Sequence, residues 1–293
     1  MKEKKIVFIG GDMRQAAAAL RVSELFYSVS VFAVPGEIGG RVRRLDTLSS
    51  AYDADALVLP LPMSGDGITV NCFGNFRDTA PRISEIFDNA KNIPICAGRI
   101  APKLADEARR RGIRLFDYYD SEELMIKNAY LTAEGAVSLA MNELDIALSG
   151  ARASVIGYGR IGKFLASMLS ALGARVTVAA RKSTDLAYAS GFGFDTLRIN
   201  YSNGVSSLSA LSAENIIFNT APYWLLDESV LRTFPAGSLI VELASAPGGV
   251  DPEAAKKYGI RVIPAPGLPG KYAPITAGRF VGDAIGELLP KII

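Results

Sequence analysis

Short apolar runs alternate with amphipathic stretches along most of the chain. Runs such as Lys5–Ile9 and Arg175–Ala180 are rich in apolar and β-branched residues and predict buried strands. Stretches such as Pro102–Arg111 and Thr276–Leu289 carry apolar residues at helical spacing. This alternation favours parallel sheets covered by helices on both faces, so we expect an α/β protein.

The same pattern divides the chain into two series of strands. The other predicted strands are Val29–Val34, Ala56–Pro60, Ile93–Cys96, Ile113–Phe116, Asn215–Phe218, Ser238–Leu243 and Arg261–Ile263. A long helix is predicted between the series, from the region of Thr132 to Ser149, and the last helix is predicted to return to the first series. We therefore predict one domain from residues 1–128 and 275–293, a second from residues 129–274, and a cleft between them.

A glycine motif follows the first strand of the second domain. Three glycines stand in G-x-G-x-x-G spacing between a β-branched run and an amphipathic helix. In such a turn the first glycine permits the tight bend, the second lets the backbone approach a pyrophosphate, and the third lets helix pack on strand. The helix N-terminus offers N–H groups to the phosphates. We predict two Rossmann-like, doubly wound parallel-sheet domains joined by the long helix, and a dinucleotide bound by Gly157, Gly159, Arg160, Ile161 and Gly162.

The end of the next strand indicates which dinucleotide binds. NAD-binding domains of this type place an Asp or Glu there to receive the ribose hydroxyls. Residues 179–184 instead read AARKST, with no carboxylate. A guanidinium, an ammonium and a hydroxyl suit a 2′-phosphate, so Arg181, Lys182 and Ser183 predict NADP(H). The alternative is that these are ordinary solvated charges of a loop.

Asn219 and Thr220 follow another strand of the second domain. The carboxyl ends of parallel strands meet at one edge, where ligands bind, so both residues are predicted to border the nicotinamide. The alternative for Asn219 is an Asx-type turn that simply ends the strand.

Composition excludes several classes of function. A net charge of +2 gives no support for binding to nucleic acid or to a membrane surface, and no apolar run is long enough to cross a bilayer. No secretory leader is recognisable, and the two cysteines, Cys72 and Cys96, suggest buried thiols in a reducing cytoplasm. The chain has no histidine, which excludes imidazole as acid, base or metal ligand, and we predict no metal site.

Five motifs together carry a more specific signal than the glycine motif alone. They are Gly10–Gln15 (GGDMRQ), Thr132–Gly135 (TAEG), Gly157–Gly162, Leu243–Asp251 (LASAPGGVD) and Ala265–Gly278 (APGLPGKYAPITAG). In this order and spacing the chain resembles the A subunit of dipicolinate synthase over nearly its whole length. The cofactor half is similar, more distantly, to 2-hydroxyacid dehydrogenases and adenosylhomocysteine hydrolases. Those families use catalytic histidines, so their chemistry does not carry over.

The resemblance implies NADP⁺-dependent oxidation of dihydrodipicolinate to pyridine-2,6-dicarboxylate in the mother-cell cytoplasm of a sporulating bacterium. It also implies a smaller partner, the B subunit of dipicolinate synthase, and a homodimer. A dicarboxylate substrate calls for cations or helix N-termini near the carboxyl ends of the first sheet's strands. We predict substrate contacts from Arg14, Gln15, Ser64 and Thr276, and catalytic roles for Glu134 as proton acceptor, Thr132 as its hydroxyl partner, and Lys271.

All of these residues except Thr276 have a structural alternative. In these alternatives Arg14 only pairs with Asp12 or Glu24, Lys271 is a solvated loop charge, and Ser64 lies in a surface turn. Gln15 belongs to the first turn of one helix, and Thr132 and Glu134 to the first turn of the linker helix. Two other functions remain open, a dehydrogenase for another small carboxylated substrate and a non-catalytic protein that senses the cofactor.

Overall fold

The computed structural model describes residues 3–25, 27–202 and 205–293. The chain forms two compact units, one of Met1–Asn128 with Gly270–Ile293 and the other of Ala129–Pro269. Their assignment as substrate and NADP domains stays a prediction. Within the described ranges, no helix has the length and apolar character needed to cross a membrane.

The first unit contains one six-stranded sheet whose paired strands are all parallel, in the order β3-β2-β1-β4-β5-β6. This order reverses direction between β1 and β4, which is where ligands bind in open α/β sheets. The elements up to the boundary of the units are β1 (Lys5–Ile9), α1 (Met13–Ser23), β2 (Ser28–Phe32), β3 (Arg43–Arg44), β4 (Ala56–Val58), α2 (Ile83–Asn89), β5 (Ile95–Ala97), α3 (Pro102–Arg110), β6 (Leu115–Asp117) and α4 (Glu122–Glu143).

The second unit contains a six-stranded parallel sheet of the same design, in the order β14-β13-β12-β7-β8-β9, and a separate two-stranded ribbon, β10-β11. The order in which strands are added to this sheet reverses between β7 and β12. The remaining elements are β7 (Arg152–Ile156), α5 (Arg160–Ala171), β8 (Arg175–Ala180), α6 (Ser183–Gly191), β9 (Asp195–Arg198), β10 (Tyr201–Ser202), β11 (Val205–Ser206), β12 (Ile216–Asn219), α7 (Glu228–Leu231), β13 (Leu239–Glu242), α8 (Pro252–Lys257), β14 (Arg261–Pro264), α9 (Leu268–Tyr272) and α10 (Pro274–Ile292).

Each sheet buries both of its faces. In β1, Ile6 and Phe8 pack with apolar residues of α1 and α10, whereas Ile9 packs on the opposite face with α2 and α3. In β7, Val155 packs with α4 and α5, and Ile156 packs with α7 and α8. Burial on both faces explains why the strands read as continuous apolar runs, and it confirms the predicted α/β fold with two doubly wound parallel sheets.

Helix α10 packs closely against α1 within the first unit. A Cβ at Gly278 would lie 2.4 Å from the Arg14 carbonyl oxygen, and one at Gly282 would lie 2.7 Å from the Cβ of Arg21. These approaches are shorter than any normal contact. The two glycines therefore let the helix backbones approach to a distance that a larger residue would prevent.

The structure corrects several predicted bounds. Helix α4 begins at Glu122 and ends at Glu143, so its predicted extension to Ser149 is wrong, and Met141 near its end is 60% exposed. Thr132 and Glu134 lie inside this helix, so their placement in its first turn is also wrong. Lys271 lies in the short helix α9 rather than in a loop. The Pro- and Gly-rich segment around it therefore forms about one turn of helix.

Candidate functional site

The glycine loop of the second unit joins β7 to α5 at the point where the strand order reverses. Gly157 adopts a φ of +96°, in the left-handed region that favours glycine, and a Cβ there would lie 2.5 Å from Thr220 Oγ1. A Cβ at Gly162 would lie 2.1 Å from the carbonyl oxygen of Gly157. The first and third glycines of the motif are therefore required by the packing of the loop itself.

Gly159 differs from the other two, because open space faces it. Among the described residues, no heavy atom lies within 4 Å of the position its Cβ would take. Gly159 is also the N-cap residue of α5 and makes no side-chain cap hydrogen bond. An open position thus lies beside the start of α5, which fits the pyrophosphate of a dinucleotide.

Thr220 and Asn219 hold the loop that follows β12. The Thr220 hydroxyl donates to the carbonyl oxygen of Ile156 at 2.9 Å, which fixes it beside the glycine loop. Asn219 accepts from the N–H of Ala221 at 3.2 Å, and its amide nitrogen donates to the Glu242 carboxylate at 2.9 and 3.0 Å. The Asx-type turn is thus present, and contacts of Asn219 and Thr220 with a nicotinamide stay predictions.

Glu242 is a central residue that the sequence does not single out. Its carboxylate also accepts from the backbone N–H groups of Ala244 and Gly249, each at 2.9 Å. It therefore joins the ends of β12 and β13. The parallel register places Asn219 directly opposite Glu242, so only a correct alignment of these strands could have revealed the pair.

The predicted 2′-phosphate residues lie at the end of β8. Arg181, Lys182 and Ser183 are all exposed, and Lys182 is the N-cap residue of α6. The guanidinium carbon of Arg181 lies 4.2 Å from the centroid of the Tyr223 ring. Arg160 and Ile161 open α5, with Arg160 exposed and Ile161 partly buried.

In the first unit, Arg14 lies at the start of α1 and pairs with Asp12. Asp12 caps the helix by accepting from the Arg14 N–H at 2.9 Å, and its carboxylate receives the Arg14 guanidinium at 2.8 to 3.0 Å. The guanidinium also donates to the carbonyl oxygen of Leu61 at 2.7 Å. Pairing with Asp12, the structural alternative, is thus present, and one edge of the guanidinium is occupied.

Gln15 is buried, with 3% of its surface exposed, and its amide nitrogen donates to the carbonyl oxygen of Val58 at 3.2 Å. It therefore ties α1 to the end of β4. Its predicted contact with substrate stays a prediction, since this amide nitrogen is engaged inside the unit.

Ser64 belongs to a loop that is closed by Asp66. The Ser64 hydroxyl donates to the carbonyl oxygen of Thr69 at 2.6 Å and accepts from the N–H of Gly67 at 2.9 Å. The N–H of Thr69, followed by that of Ile68, holds the pKa of Asp66 well below its ordinary value. The loop's donors thus serve its own carboxylate, which is the geometry of the surface-turn alternative.

The β5–α3 loop has an unusual backbone at the same edge of the first sheet. Arg99 adopts a φ of +53°, which is uncommon for a residue other than glycine. The Asp117 carboxylate stabilises this conformation by accepting from the N–H groups of Arg99 at 3.0 Å and Ile100 at 2.8 Å. Backbone strain of this kind concentrates near functional sites, and the sequence carries no signal for it.

The remaining predicted residues divide by exposure. Lys271 and Thr276 of the first unit are exposed, in α9 and α10 respectively. In the second unit Glu134 is exposed, whereas Thr132 is buried.

Both cysteines are buried, as predicted, and burial raises the pKa of the Cys72 thiol to about 11 and that of Cys96 to about 12. At neutral pH they are inert thiols.

Comparison with known proteins now identifies the family. Residues 5–119 match the family model for the N-terminal domain of the dipicolinate synthase A subunit. Over 301 aligned residues the chain is 31% identical to the dipicolinate synthase A subunit of Bacillus subtilis (strain 168), covering 98% of this chain and 96% of the relative. The chain belongs to the family of dipicolinate synthase A subunits. The resemblance drawn from the five motifs is thereby confirmed.

The solved structures agree with this membership. The crystal structure of the dipicolinate synthase A subunit from Bacillus halodurans superposes with a TM-score of 0.86 at 28% identity, covering 98% of this chain and 97% of that one. An L-alanine dehydrogenase superposes with a TM-score of 0.66 at 16% identity, covering 97% and 89%. At that identity the likeness shows the fold alone, which is a dehydrogenase-like pair of Rossmann sheets.

Proposed function

We propose that this member of the dipicolinate synthase family is the catalytic component, which oxidises dihydrodipicolinate to dipicolinate with NADP⁺. The observation that carries the proposal is the open position at Gly159 beside the start of α5, in a chain that matches the family from end to end. A protein that only senses the cofactor would also need this open position, so a test of the proposal must detect the reaction product.

The choice of NADP(H) rests on the end of β8. Arg181, Lys182 and Ser183 are exposed there, and residues 179–184 contain no carboxylate that would repel a 2′-phosphate. Isothermal titration of the wild type and Arg181→Glu with NADP⁺ and NAD⁺ tests this choice. We expect the wild type to prefer NADP⁺ and the variant to lose that preference. Tighter binding of NAD⁺ by the wild type would refute it.

The reaction removes one hydride and one proton from the substrate. Bound NADP⁺ supplies the hydride acceptor, and dihydrodipicolinate becomes aromatic as NADPH and a proton are formed. Aromatisation lowers the demand on the protein, and positioning of the reactants carries much of the rate, so a chain without histidine suffices. We propose Glu134, whose carboxylate is exposed on α4, as the proton acceptor, a catalytic role for Thr132, and a substrate contact for Thr276.

Recognition of the two substrate carboxylates is proposed for the first unit. Arg14 is held rigidly by Asp12 and Leu61, so it offers a fixed guanidinium of reduced net charge. Lys271 is exposed and adds a positive charge. Gln15 and Ser64 complete the predicted set. The pairing of Arg14 with Asp12 makes Lys271 the stronger electrostatic partner of a carboxylate in this proposal.

A coupled assay tests the proposed function directly. Dihydrodipicolinate generated in situ is supplied with NADP⁺, with and without the B subunit, while NADPH and dipicolinate absorbance are followed. We expect both products to rise together in a 1:1 ratio. NADPH without dipicolinate would favour a dehydrogenase for another carboxylated substrate, and binding of NADP(H) without any product would favour a cofactor sensor.

Glu134→Gln separates the proton acceptor from the rest of the proposal. The amide keeps the size of the side chain but cannot accept the proton, so we expect turnover to fall by roughly 100-fold or more. Glu143→Gln, at the end of the same helix, is a matched control that should keep turnover. Turnover by Glu134→Gln within a few-fold of wild type would remove Glu134 from the mechanism.

The partners and setting follow from family membership and are likewise proposals. The relative is named as the A component of a synthase, so we propose association with a B subunit, and we propose a homodimer in the mother-cell cytoplasm. Size-exclusion chromatography with light scattering, with and without the B subunit, measures both associations.

A further inference from the structure

Two exposed side chains meet across the end of β7. The N–H of Gly157 donates to the carbonyl oxygen of Ala179 at 2.8 Å, and the position of a Gly157 Cβ lies 3.6 Å from the Cβ of Ala221. Residues 179 and 221 thus flank the glycine loop from β8 and from the loop after β12. Two residues beyond each lie Arg181 and Tyr223, whose guanidinium carbon and ring centroid are 4.2 Å apart.

The tyrosine has a fixed backbone although its ring is exposed. The carbonyl oxygen of Tyr223 lies 2.5 Å from the position that a Cβ of Gly249 would take, and the N–H groups of Leu225 and Leu226 donate to the Gly249 carbonyl oxygen at 3.1 and 2.8 Å. The ring remains 51% exposed. A ring that is half exposed contributes little to the hydrophobic core, and the contact with Arg181 is therefore its notable interaction.

Stacking leaves the hydrogen-bonding edge of a guanidinium available. The guanidinium carbon lies over the Tyr223 ring, and a guanidinium stacked on a ring keeps its five N–H donors in its own plane, pointing away from the ring. A phosphate binds that edge, often through two parallel hydrogen bonds. Stacking also restricts the rotamers of a long side chain before the ligand arrives, which reduces the entropy cost of binding.

We propose that Tyr223 is a specificity-determining positioning residue, which holds Arg181 with its N–H edge directed at the 2′-phosphate of NADP(H). This inference rests on the proposed NADP-dependent function. Tyr223 acts through Arg181, and NAD(H) has no 2′-phosphate. Loss of the ring therefore weakens binding of NADP(H) and leaves binding of NAD(H) nearly unchanged.

Isothermal titration of the full chain with NADP⁺ and NAD⁺ tests the proposal in wild type, Tyr223→Leu, Tyr223→Gln and Tyr223→Phe. We expect the Leu and Gln variants to bind NADP⁺ about two- to fivefold more weakly, as for an exposed cation–π contact, with NAD⁺ affinity unchanged. Tyr223→Phe keeps the aromatic face and should bind as wild type. In an Arg181→Ala background, Tyr223→Leu should cause no further loss.

Equal weakening of NADP⁺ and NAD⁺ binding would overturn the proposal, since it would show a general effect on the loop. Loss in Tyr223→Phe as large as in Tyr223→Leu would also overturn it, because the hydroxyl would then be the important group. The affinities of the wild type for NADP⁺ and NAD⁺ test the proposed cofactor separately. A preference of the wild type for NAD⁺ refutes the NADP-dependent function and this inference together, whereas a preference for NADP⁺ of the same size in all four proteins refutes the inference alone.

Discussion

Two glycines of the β7–α5 loop, Gly159 and Gly162, should respond to alanine in different ways. At Gly159 the backbone is extended, with φ −81° and ψ −162°, and no described atom lies within 4 Å of the new methyl group. Alanine fits there without steric strain, and its gain of about 0.4–1 kcal/mol through the unfolded chain is offset by the preference for glycine over alanine at an N-cap, so Gly159→Ala should leave stability nearly unchanged. At Gly162 the methyl group would lie 2.1 Å from a backbone oxygen, so Gly162→Ala should lose about 1–3 kcal/mol or more.

Gly159→Ala should weaken binding of the dinucleotide although it keeps the fold. Its methyl group takes the space through which, in the proposed binding mode, a phosphate approaches the start of α5. Loss of a charge-assisted hydrogen bond costs about 1.5–3 kcal/mol, which is roughly 10- to 100-fold in Kd. Urea unfolding measures the stabilities, and isothermal titration with NADPH measures the affinities. Wild-type affinity in a well-folded Gly159→Ala protein would refute the assignment of this position to the pyrophosphate.

Three further predictions concern stability and reactivity. On α10, Gly278→Ala should lose about 1–3 kcal/mol in urea unfolding because its methyl group meets the Arg14 carbonyl oxygen, whereas Gly286→Ala meets only a flexible leucine tip and should be neutral or stabilising; equal losses would contradict this. Burial raises the thiol pKa values of the two cysteines to about 11 and about 12, so native protein at pH 8 should react with a thiol reagent far more slowly than protein in urea, and rapid native labelling would contradict it. The N–H of Thr69 lowers the pKa of Asp66 in the folded protein, so the ionised carboxylate stabilises the fold at any pH above its pKa in the unfolded chain. The difference in stability between wild type and Asp66→Ala should therefore shrink as the pH falls below about 4. An equal difference at pH 7 and pH 3 would exclude the effect.

Local backbone requirements explain which parts of the site were predictable from sequence. The glycine loop is recognisable in consecutive residues, because Gly157 has a left-handed φ and Gly162 packs on the Gly157 carbonyl oxygen within the same turn. Strands β1 and β8 have the predicted bounds because their apolar runs are also continuous in the sequence. The position of Arg181 and Lys182 at the end of β8 was predictable because they directly follow the apolar run of that strand, and their role stays a prediction. All of these signals lie within a few residues of the structure that they specify.

Contacts between distant residues explain what was missed. Glu242 becomes central only because parallel register brings it opposite Asn219, which is 23 positions away in the chain. The left-handed Arg99 depends on Asp117, 18 positions away. Strand β9 has just one partly buried residue among four, so it lacks the apolar run that predicts a buried strand.

The two sheets share one strand order, yet their helix starts differ in a way that decides which one suits a dinucleotide. After β1, a Cβ at Gly11 would lie 2.5 Å from the Gln15 Cβ, and the Asp12 carboxylate caps α1. That helix start is therefore filled, and its capping position is already occupied by a carboxylate of the chain itself. After β7, Gly159 faces open space and brings no carboxylate to the start of α5. The same strand–glycine–helix pattern thus leaves an open helix start, as the proposed dinucleotide requires, in the second unit and a closed, carboxylate-capped turn in the first, where Asp12 also pairs with Arg14.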